Sequence, residues 1–597
     1  MSYLKWLFDP SPISGNEQGE SPFSAMLEEA AKKLGGTISM FVREVVSNSA
    51  DQRSKETSYP VNIFIDFIEI SGVTKKTFKK EMDWESLSKH LEAAAGDGES
   101  NPSQIELKAS LNKMENNDAT SLLVRVSDYN ANGLIGEETD KKSNFHLFCK
   151  SVFKTSTDNI RQGSYGLGKG VLYHQSGLNT VLTSSYCNHD GENKMRVFGR
   201  SEQQSHETEQ GKEYRRTSGC SGAGFFGLPK EQDLGIKPVS SFNETNETLK
   251  NLFLDRDLKM GTGTTVISTE FKLNGSIENT IAHFQSNIKK WFWPALCSEH
   301  KPITITIRRF QGHEHLEDED IPVQITSHYK PFAIAFKEQE NSKDLNEVGN
   351  IATKELNWDI PIKKITKEAA WDDGKAFSAN GLVKMYRSDT SHDTQHEELN
   401  NHTAYLRNNL CVVKYEPIKV FSDDNNSNFY GVFLGGEARG DSVEDQKFSD
   451  FLRLAEPPLH NHWEYKYKIE NMYDLEKVPT FLKKIDTTIQ QTANDLVDIN
   501  DGESSENLDH LAALFKFGKS GKSEAKRFIS DKILEYELNN SLLTFKVKVN
   551  NLRDDSNDWK IETFCSIEAA KYHLKIDKVI FDDNSLDELI NYNTDNK

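Results

Sequence analysis

The sequence predicts an α+β protein of several domains, and three observations lead to this prediction. The 597 residues exceed what one hydrophobic core normally organises, so about three or four domains are expected. Stretches in which apolar residues alternate, as in strands, occur along most of the chain. Among them lie stretches whose apolar residues recur at helical spacing. The expected order is a layered N-terminal α/β domain, a β-rich middle domain, a helical segment and a small β-rich C-terminal domain.

The N-terminal region begins with a segment that has no clear period. We predict an irregular arm over residues 1–20, then two helices separated by Gly35 and Gly36, which interrupt the helical pattern. The alternating stretch 59–70 predicts a strand, and residues 75–118 form a polar, helix-like insertion. Further strands are predicted at 122–126, 179–186 and 263–267, with a helical segment at 143–154 and polar loops through much of 188–250.

Domain boundaries follow from where these patterns change. Apolar residues recur at helical spacing from Ile277 and stop at Pro294, so the first domain is expected to cover residues 1–298. Alternating stretches at 303–310, 381–386 and 404–413 predict a β-rich middle domain. The remaining segments are a middle domain at 299–470, a helical region at 471–525 and a small β domain at 526–597.

Composition and charge restrict the classes of function. Charged residues make up 27% of the chain and no apolar run is long enough to span a bilayer, so we expect a cytoplasmic protein without a membrane segment. The six cysteines occur singly, which favours a reducing compartment over a disulfide framework or a zinc ribbon. The net charge of -20 argues against broad contact with nucleic acid, although a local basic groove is compatible with it.

The predicted second helix carries a polar stripe. Glu44, Asn48 and Asp51 stand at i, i+4 and i+7, which places them along one helical face. The apolar residues between them point toward a core. An acid, an amide and a second acid in this arrangement can hold a polar ligand. Taken alone, a solvated stripe on an ordinary amphipathic helix is an equally good interpretation.

A second polar segment follows the strand at 122–126. Asp128 is expected at the end of this strand, where ligand-contacting groups are common. Asn130, Asn132 and Gly133 tolerate positive φ angles, so the chain can turn sharply and bring its backbone close to a ligand. A carboxylate here can accept a hydrogen bond from an exocyclic amine. An Asx turn without a ligand explains the same residues.

A glycine-rich segment precedes the next helical pattern. Its glycines at i, i+3 and i+5 leave backbone N–H groups available to an anion, ahead of a helix N-terminus. The spacing is neither that of a Rossmann loop nor that of a Walker loop. The segment consists of Gly163, Ser164, Tyr165, Gly166, Leu167, Gly168, Lys169 and Gly170.

Together and in this order, the motifs resemble those of the GHKL superfamily of ATPases, which includes gyrase B, the ninety-kilodalton heat-shock chaperone, histidine kinases and MutL. The resemblance covers about residues 25–270. The helix is similar to the motif E-x-x-x-N-x-x-D, Asp128–Gly133 to D-x-G-x-G, Gly163–Gly170 to the G-x-x-G-x-G lid, and Gly263–Thr265 to the closing G-T motif. One departure is that Asn130 and Asn132 stand where the family usually has glycine.

The resemblance implies a Bergerat-type fold that binds ATP and Mg²⁺. Glu44 would be the general base that polarises the attacking water. Asn48 would ligate Mg²⁺ through its amide oxygen. Asp128 would contact the adenine amine, supported by Thr264 or Thr265. The lid glycines and the neighbouring lysine would close on the phosphates.

The resemblance also implies a subclass and a partner domain. Asp51 stands where histidine kinases usually carry lysine, so the similarity is closer to the chaperone, gyrase and MutL branch. That branch has a β-rich transducer domain that supplies a basic residue to the γ-phosphate. Arg407, on the predicted strand 404–413, is the first candidate, and Lys384 and Lys414 are its rivals. A surface arginine on a strand is an equally good interpretation of Arg407.

The expected function is an ATP-driven conformational cycle that acts on a macromolecule. We expect a homodimer with a protein client, in which an exposed N-terminal arm around Trp6 exchanges between protomers. One alternative is a nucleotide sensor that binds ATP without hydrolysis. Another is a nucleic-acid clamp resembling MutL or MORC, with Lys289, Lys290, Arg308 and Arg309 as basic contacts. A role in a bacterial defence system is a further hypothesis from general similarity.

Overall fold

The computed structural model describes most of residues 1–499. Beyond them it describes four short strands. The chain divides into two compact units, Met1–Ile499 and Asn500–Lys597. The predicted α+β class is confirmed, since both helices and sheets are present. The described residues are 4–10, 22–53, 59–96, 101–151, 167–208, 219–232, 235–316, 320–360, 376–389, 397–420, 427–457, 461–464, 469, 473, 478–497, 529–539, 542–549, 564–567 and 570–573.

A large mixed sheet organises the first part of unit 1. Within the described residues it has twelve strands, in the order β1-β7-β5-β4-β9-β3-β2-β10-β11, with β12 beside β10 and with β6 and β8 beside β7. The strands are β1 (Lys5–Pro10), β2 (Val61–Ile70), β3 (Ser121–Tyr129), β4 (Thr180–His189), β5 (Glu192–Glu202), β6 (His206–Glu207), β7 (Gly219–Gln232), β8 (Gly235–Val239), β9 (Gly263–Ser268), β10 (Ile303–Gln311), β11 (Glu314–His315) and β12 (Ile321–Pro322).

Helices cover both faces of this sheet. The alternation within β2 explains how: Val61, Ile63 and Ile65 pack toward α1, α2, α6 and α8, whereas Ile68 and Ile70 pack toward α3, α4 and α5. The helices are α1 (Pro22–Leu34), α2 (Thr37–Asp51), α3 (Gly72–Glu81), α4 (Trp84–Ala95), α5 (Pro102–Glu115), α6 (Leu167–His174), α7 (Asn246–Asn251) and α8 (Ile277–Cys297).

A second sheet of five strands follows within unit 1. Its order is β13-β14-β17-β15-β16, and only the β15–β17 pair is parallel among its described strand pairs. Helices α10 and α11 pack on one face, while α9 and α8 share the core on the other. The elements are α9 (Lys330–Lys337), β13 (Ile351–Ile360), β14 (Phe377–Asp389), β15 (His402–Leu406), β16 (Val412–Pro417), β17 (Ser427–Gly435), α10 (Val443–Ala455) and α11 (Val478–Val497).

The predicted boundary at residue 298 falls inside the first sheet. Strand β10 pairs in parallel with β2, from Ile303 beside Val61 to Gln311 beside Glu69. Residues 303–311 alternate as predicted, but the sequence does not reveal which strand they join. The end predicted for α8 is also too early, because the helix passes through Pro294.

Pro294 is accommodated by a contact from the second sheet. Proline has no N–H for the carbonyl four residues earlier, which in α8 belongs to Lys290. The Tyr415 hydroxyl donates a hydrogen bond of 2.6 Å to that carbonyl. Trp293, next to the proline, is fully buried and donates from its indole nitrogen to the Tyr415 oxygen at 3.0 Å. Tertiary packing therefore allows α8 to continue past Pro294.

The N-terminal arm differs from its prediction. Residues Lys5–Pro10 form strand β1, antiparallel to β7 in the same chain. Trp6 is fully buried, and its indole nitrogen donates 2.7 Å to the Met82 carbonyl. The expectation of an irregular arm with an exposed Trp6 is therefore wrong, because this segment completes a sheet and its core.

One other prediction fails for a local reason. The stretch 188–250 contains β5, β7 and β8 rather than mostly loops. Its glycines suggest a loop, but a Cβ on Gly224 would lie 2.4 Å from the Phe8 ring, so glycine permits β1 to pack on β7. The helical segment predicted at 143–154 is confirmed in its described part, where residues 144–150 are helical and His146–Lys150 form a π turn.

Unit 2 consists, in its described residues, of two antiparallel strand pairs. Ile529–Asn539 pairs with Leu542–Val549, and Phe564–Ile567 pairs with Ala570–His573. These strands lie within the predicted β-rich region 526–597. Of the helical region predicted at 471–525, the structure describes α11 and the single residue Tyr473. Across the described residues, we find no helix with the length and apolarity that crossing a bilayer requires.

Candidate functional site

Helix α2 presents the predicted polar stripe on its outer face. Phe41, Val42 and Val46 are fully buried against the sheet, which turns the opposite face of the helix outward. Glu44 is half-buried and Asn48 is exposed. The Asn48 amide nitrogen donates a hydrogen bond of 2.9 Å to a Glu44 carboxylate oxygen. Because the amide nitrogen faces Glu44, the amide oxygen points away from it and can serve as a cation ligand.

Asp128, near the end of β3, lies beside the C-terminal half of α2. The Ser49 hydroxyl donates 3.0 Å to one carboxylate oxygen, and the backbone N–H of Thr264 donates 2.7 Å to the other. The side chain is buried, and burial raises the pKa of this carboxyl group. The positive charge of Arg256 and these two hydrogen bonds act in the opposite direction. Each oxygen keeps a lone pair for one more donor.

The close approach of β9 to Asp128 depends on Gly263. This residue has φ 151°, and a Cβ there would lie 2.2 Å from the Asp128 carbonyl oxygen and 2.6 Å from its carboxylate. No other residue type fits without moving the strand. The glycine of the predicted G-T pair therefore has a direct steric role at the carboxylate.

The two threonines after Gly263 have different roles. Thr264 contributes its backbone N–H to Asp128 and is partly exposed. Thr265 is fully buried, with its hydroxyl 3.0 Å from that of Ser127 and accepting a bond of 2.7 Å from Arg256. Of the two, Thr264 is thus the residue next to the carboxylate, as strand alternation requires.

The loop after β3 has part of the predicted geometry. Asn130 has φ 60° and Gly133 has φ 72°, whereas Asn132 is not in the left-handed region. Asn132 is exposed, and its N–H donates 2.9 Å to the Gln52 carbonyl just beyond α2. A Cβ on Gly133 would come within 2.8 Å of the Ser185 hydroxyl. The loop is therefore held against both α2 and the sheet.

The glycine-rich segment is described only from Leu167 onward. Gly163, Ser164, Tyr165 and Gly166 lie outside the described residues, as do the surroundings of Leu167 and Gly168. Helix α6 begins at Leu167, so its first turn carries Lys169 and the buried Gly170. The helix N-terminus therefore lies within the predicted segment, whose last four residues are helical.

Lys169 carries a perturbed amine. Its pKa is lowered to about 8, mainly by burial and also by the positive charge of Arg200, while Cys149 and Glu44 act to raise it. The amine donates a hydrogen bond of 3.4 Å to the Ser151 carbonyl. Because Glu44 influences Lys169, the first turn of α6 and the polar stripe of α2 form one electrostatic environment.

Arg407 from the second sheet contacts the end of α2. It does not lie on a strand, because residues 407–411 form the turn between β15 and β16. Its guanidinium lies 3.2 Å from one Asp51 carboxylate oxygen, and the Asn409 amide donates 3.0 Å to the other. Buried Glu456 is 3.7 Å from Arg407. Burial acts to lower the pKa of Arg407, but the charges of Glu456 and Asp51 raise it overall.

The two rivals of Arg407 are engaged elsewhere. The Lys384 amine donates 2.9 Å to the Phe336 carbonyl and also bonds the Glu338 carbonyl. The Lys414 amine pairs with Asp486 at 2.6 Å. Arg407 is therefore the one of these three cations that reaches the polar stripe.

Three contributors to the site were not predicted from the sequence. Ser49 and Arg256 fix Asp128, and Asn409 binds Asp51. Ser49 is adjacent to Asn48, so the helical motif offered a weak signal for it. Arg256 lies 128 positions from Asp128 in an irregular segment, and no local pattern marks it.

A cavity of about 610 Å³ opens beside the site. Its lining includes Lys169 and Gly170 together with Arg200, Gln104 and Lys272, but not Glu44, Asn48 or Asp128. The polar stripe therefore lies outside this cavity, and we base the site on the converging side chains instead. Lys169 is common to both.

The donor atoms of the site fit a hard cation. The Asn48 amide oxygen and the Glu44 carboxylate provide oxygen ligands of the kind that Mg²⁺ prefers, beside a helix N-terminus and an amine suited to phosphates.

No protein-family model matches the sequence, and a search of curated proteins gives no significant match.

Proposed function

We propose that the chain binds Mg²⁺–ATP between α2, β3, β9 and the start of α6, and hydrolyses it. The observation that carries this proposal is the convergence of two groups of residues. The buried Asp128 carboxylate is held by Ser49 and Thr264, and the Glu44–Asn48 pair lies on the same helix as Ser49. This convergence agrees with the roles that the resemblance to the GHKL superfamily implies.

Asp128 is suited to recognise the base of the nucleotide. Its carboxylate is an acceptor with both oxygens already oriented by protein donors, so a further donor meets a fixed lone pair. The exocyclic amine of adenine is such a donor. A guanine base presents a carbonyl oxygen at the equivalent position, which the carboxylate repels. ATP is therefore preferred to GTP in this proposal.

Glu44 is suited to activate water. Its carboxylate accepts from Asn48 on one oxygen, which orients the group along the helix. Asn48 would hold Mg²⁺, which supplies charge neutralisation at the phosphates when bound. Lys169 adds a second positive charge at the start of α6. Positioning and charge of this kind account for most of the rate enhancement in phosphoryl transfer.

Arg407 is suited to couple the site to the second sheet. It connects Asp51, on the last turn of α2, to Glu456 just beyond α10. A negatively charged γ-phosphate competes with Asp51 for this guanidinium. ATP binding and hydrolysis would then shift the second sheet relative to α2, which is how we propose the ATP cycle acts on a homodimer and on a protein client.

The described cysteines support a reducing compartment. Those of unit 1 are all free thiols, namely Cys149, Cys187, Cys220, Cys297 and Cys411. Unpaired cysteines are the rule in the cytosol. A cytoplasmic location is accordingly part of the proposal.

Two of the four basic residues named for a nucleic-acid clamp, Arg308 and Arg309, support that alternative poorly. Arg308 forms two hydrogen bonds with the buried Asp66, of 2.6 and 2.9 Å. Arg309 pairs with Glu69 and Glu278 at 3.7 and 3.5 Å. Acidic partners within the fold therefore neutralise this pair, and a protein client is preferred.

The experiment that tests the proposal compares ATP binding and turnover in wild type, Glu44→Ala and Asp128→Asn, with Mg²⁺ present. We expect slow hydrolysis by wild type. Glu44→Ala should bind ATP with little turnover, since only the base is removed. Asp128→Asn should lose binding by about tenfold or more, because the amide replaces an anionic acceptor.

The control is Glu85→Ala, which removes a surface carboxylate that forms an ion pair with Lys89. It should behave as wild type. Binding without turnover in wild type would instead favour the nucleotide-sensor alternative. Failure of folded wild type to bind ATP would refute the proposed site.

A further inference from the structure

A buried group of two imidazoles and one thiol lies on the far side of the first sheet from α2. We define the His-His-Cys cluster as His90 on α4, His206 on β6 and Cys220 on β7. Each of these residues is at most 3% exposed. Their ligand atoms all lie within 4.8 Å of one another. The proposed ATPase function uses none of the three.

The fold holds these side chains together from distant parts of the chain. His206 and Cys220 are directly paired between the antiparallel strands β6 and β7, which puts both side chains on one face. Helix α4 brings His90 over them, so that its Nδ1 lies 2.8 Å from Nε2 of His206. The sequence separation of the two histidines is 116 residues.

The orientation of His206 is fixed from outside the cluster. Its Nδ1 lies 2.8 Å from the Gln204 carbonyl oxygen. A carbonyl can only accept, so Nδ1 carries the proton and Nε2 directs its lone pair at the other two residues. An imidazole whose second nitrogen donates to a backbone carbonyl is the usual arrangement of a metal-binding histidine.

We propose that the His-His-Cys cluster binds a zinc ion. Two nitrogen donors and one sulfur donor suit Zn²⁺ and exclude Mg²⁺ and Ca²⁺, which require oxygen. Tetrahedral zinc places its donors about 3.3–3.8 Å apart, so the two histidine nitrogens must separate by about half an ångström. Binding releases the thiol proton of Cys220 to solvent, and the Nδ1 proton of His90 moves to its Nε2. A water molecule completes the four ligands.

The ion would brace the N-terminal strand. The Phe8 ring stacks on His90, with centroids 3.8 Å apart and planes 14° apart, and meets His206 edge-on at 5.4 Å. On the other side of β7, Pro10 is paired with Cys220. Zinc would therefore connect α4, β6 and β7 directly beneath β1.

The test measures metal in the full chain, purified without a metal-affinity step. We expect about one zinc per chain by mass spectrometry. After chelation, Co²⁺ should restore one equivalent with a sulfur-to-cobalt charge-transfer band. Cys220→Ser should abolish that band, and His206→Gln should weaken Co²⁺ binding more than tenfold. The matched control is Cys297→Ser on α8, which should keep the band. Circular dichroism verifies folding of each variant.

Two results would overturn the proposal: folded wild type that takes up no Co²⁺, or a charge-transfer band that persists in folded Cys220→Ser. If either cluster variant fails to fold, X-ray absorption of zinc-loaded wild type decides instead. One sulfur and two imidazoles around the zinc support the cluster. A shell without sulfur, or with more than one sulfur, excludes it.

Discussion

Lys169 links protonation to nucleotide binding at the scale of one residue. Its folded pKa of about 8 lies below the ordinary lysine value of 10.5, because burial disfavours the charged amine. We predict that ATP affinity falls by about tenfold or more as pH rises through 8, since the neutral amine no longer attracts phosphate. Calorimetric titrations at several pH values measure this. Lys169→Met should bind weakly at every pH.

The predicted loss of ATP affinity with rising pH can be distinguished from a loss of folded protein, because Lys169 changes the free energy of unfolding in the opposite direction. Above pH 8 the unfolded chain binds more protons than the folded chain at this residue. The Lys169 contribution to the free energy of unfolding therefore rises with pH up to about 10.5. A loss of ATP affinity that paralleled a loss of folded protein would contradict the assignment.

Gly263 provides a steric test of the Asp128 site. We predict that Gly263→Ala destabilises the fold by about 2 kcal/mol or more and abolishes ATP binding, because the added Cβ overlaps the carbonyl oxygen and one carboxylate oxygen of Asp128. The matched control is Gly191→Ala. Gly191 also has a positive φ, of 83°, but nothing lies within 4 Å of its Cβ position. Urea denaturation and ATP titration of both variants make the comparison, and equal losses would contradict the steric explanation.

Individual residues were predictable where one motif contains the whole interaction. Glu44 and Asn48 are one helical turn apart, so their contact follows from helical geometry alone. The contact of Arg256 with Asp128 depends instead on tertiary packing. A helix motif can thus be recognised in a sequence, whereas an arginine delivered from a remote loop cannot.

Helices and strands were predictable where the spacing of their apolar residues was regular. Helix α2 and strands β2, β3 and β9 have strong apolar periods and lie where expected. Strand β7 was missed because its glycines, of which the Phe8 ring requires Gly224, resemble those of a loop. The β15–β16 turn was missed because apolar residues continue on both sides of Arg407. Partners across a sheet, such as β2 and β10, leave no signature in either strand.

The contact between α2 and the β15–β16 turn should be important for stability. Arg407→Ala removes a buried cation from beside Asp51 and Glu456, so we predict a loss of about 3–5 kcal/mol in the free energy of unfolding. Lys354→Ala is the control, because its pair with Asp495 is half exposed and should contribute about 0–1 kcal/mol. Urea denaturation measures both. Equal, small losses would show that Arg407 does not stabilise the interface.

Two truncations test how the whole molecule divides. All the site residues lie in Met1–Ile499, so we predict that removing residues 500–597 leaves ATP affinity unchanged. Removing residues 1–10 deletes the fully buried Trp6 and should cost about 3–5 kcal/mol from that side chain alone. Differential scanning calorimetry and ATP titration compare the two. Retained stability without residues 1–10 would show that β1 is dispensable.

The parallel pairing of β2 with β10 also means that the first sheet cannot be completed until Gln311 has been synthesised. The Asp66 carboxylate on β2 has no solvent exposure, and its partner Arg308 is 242 residues further along the chain. At about 5–20 residues per second, a ribosome needs roughly 10–50 s to make that interval. Throughout it the nascent chain carries an unpaired edge on β2, and Asp66 has only one of its two arginine partners, Arg125 at 2.7 Å. Early-binding chaperones have that window in which to shield them.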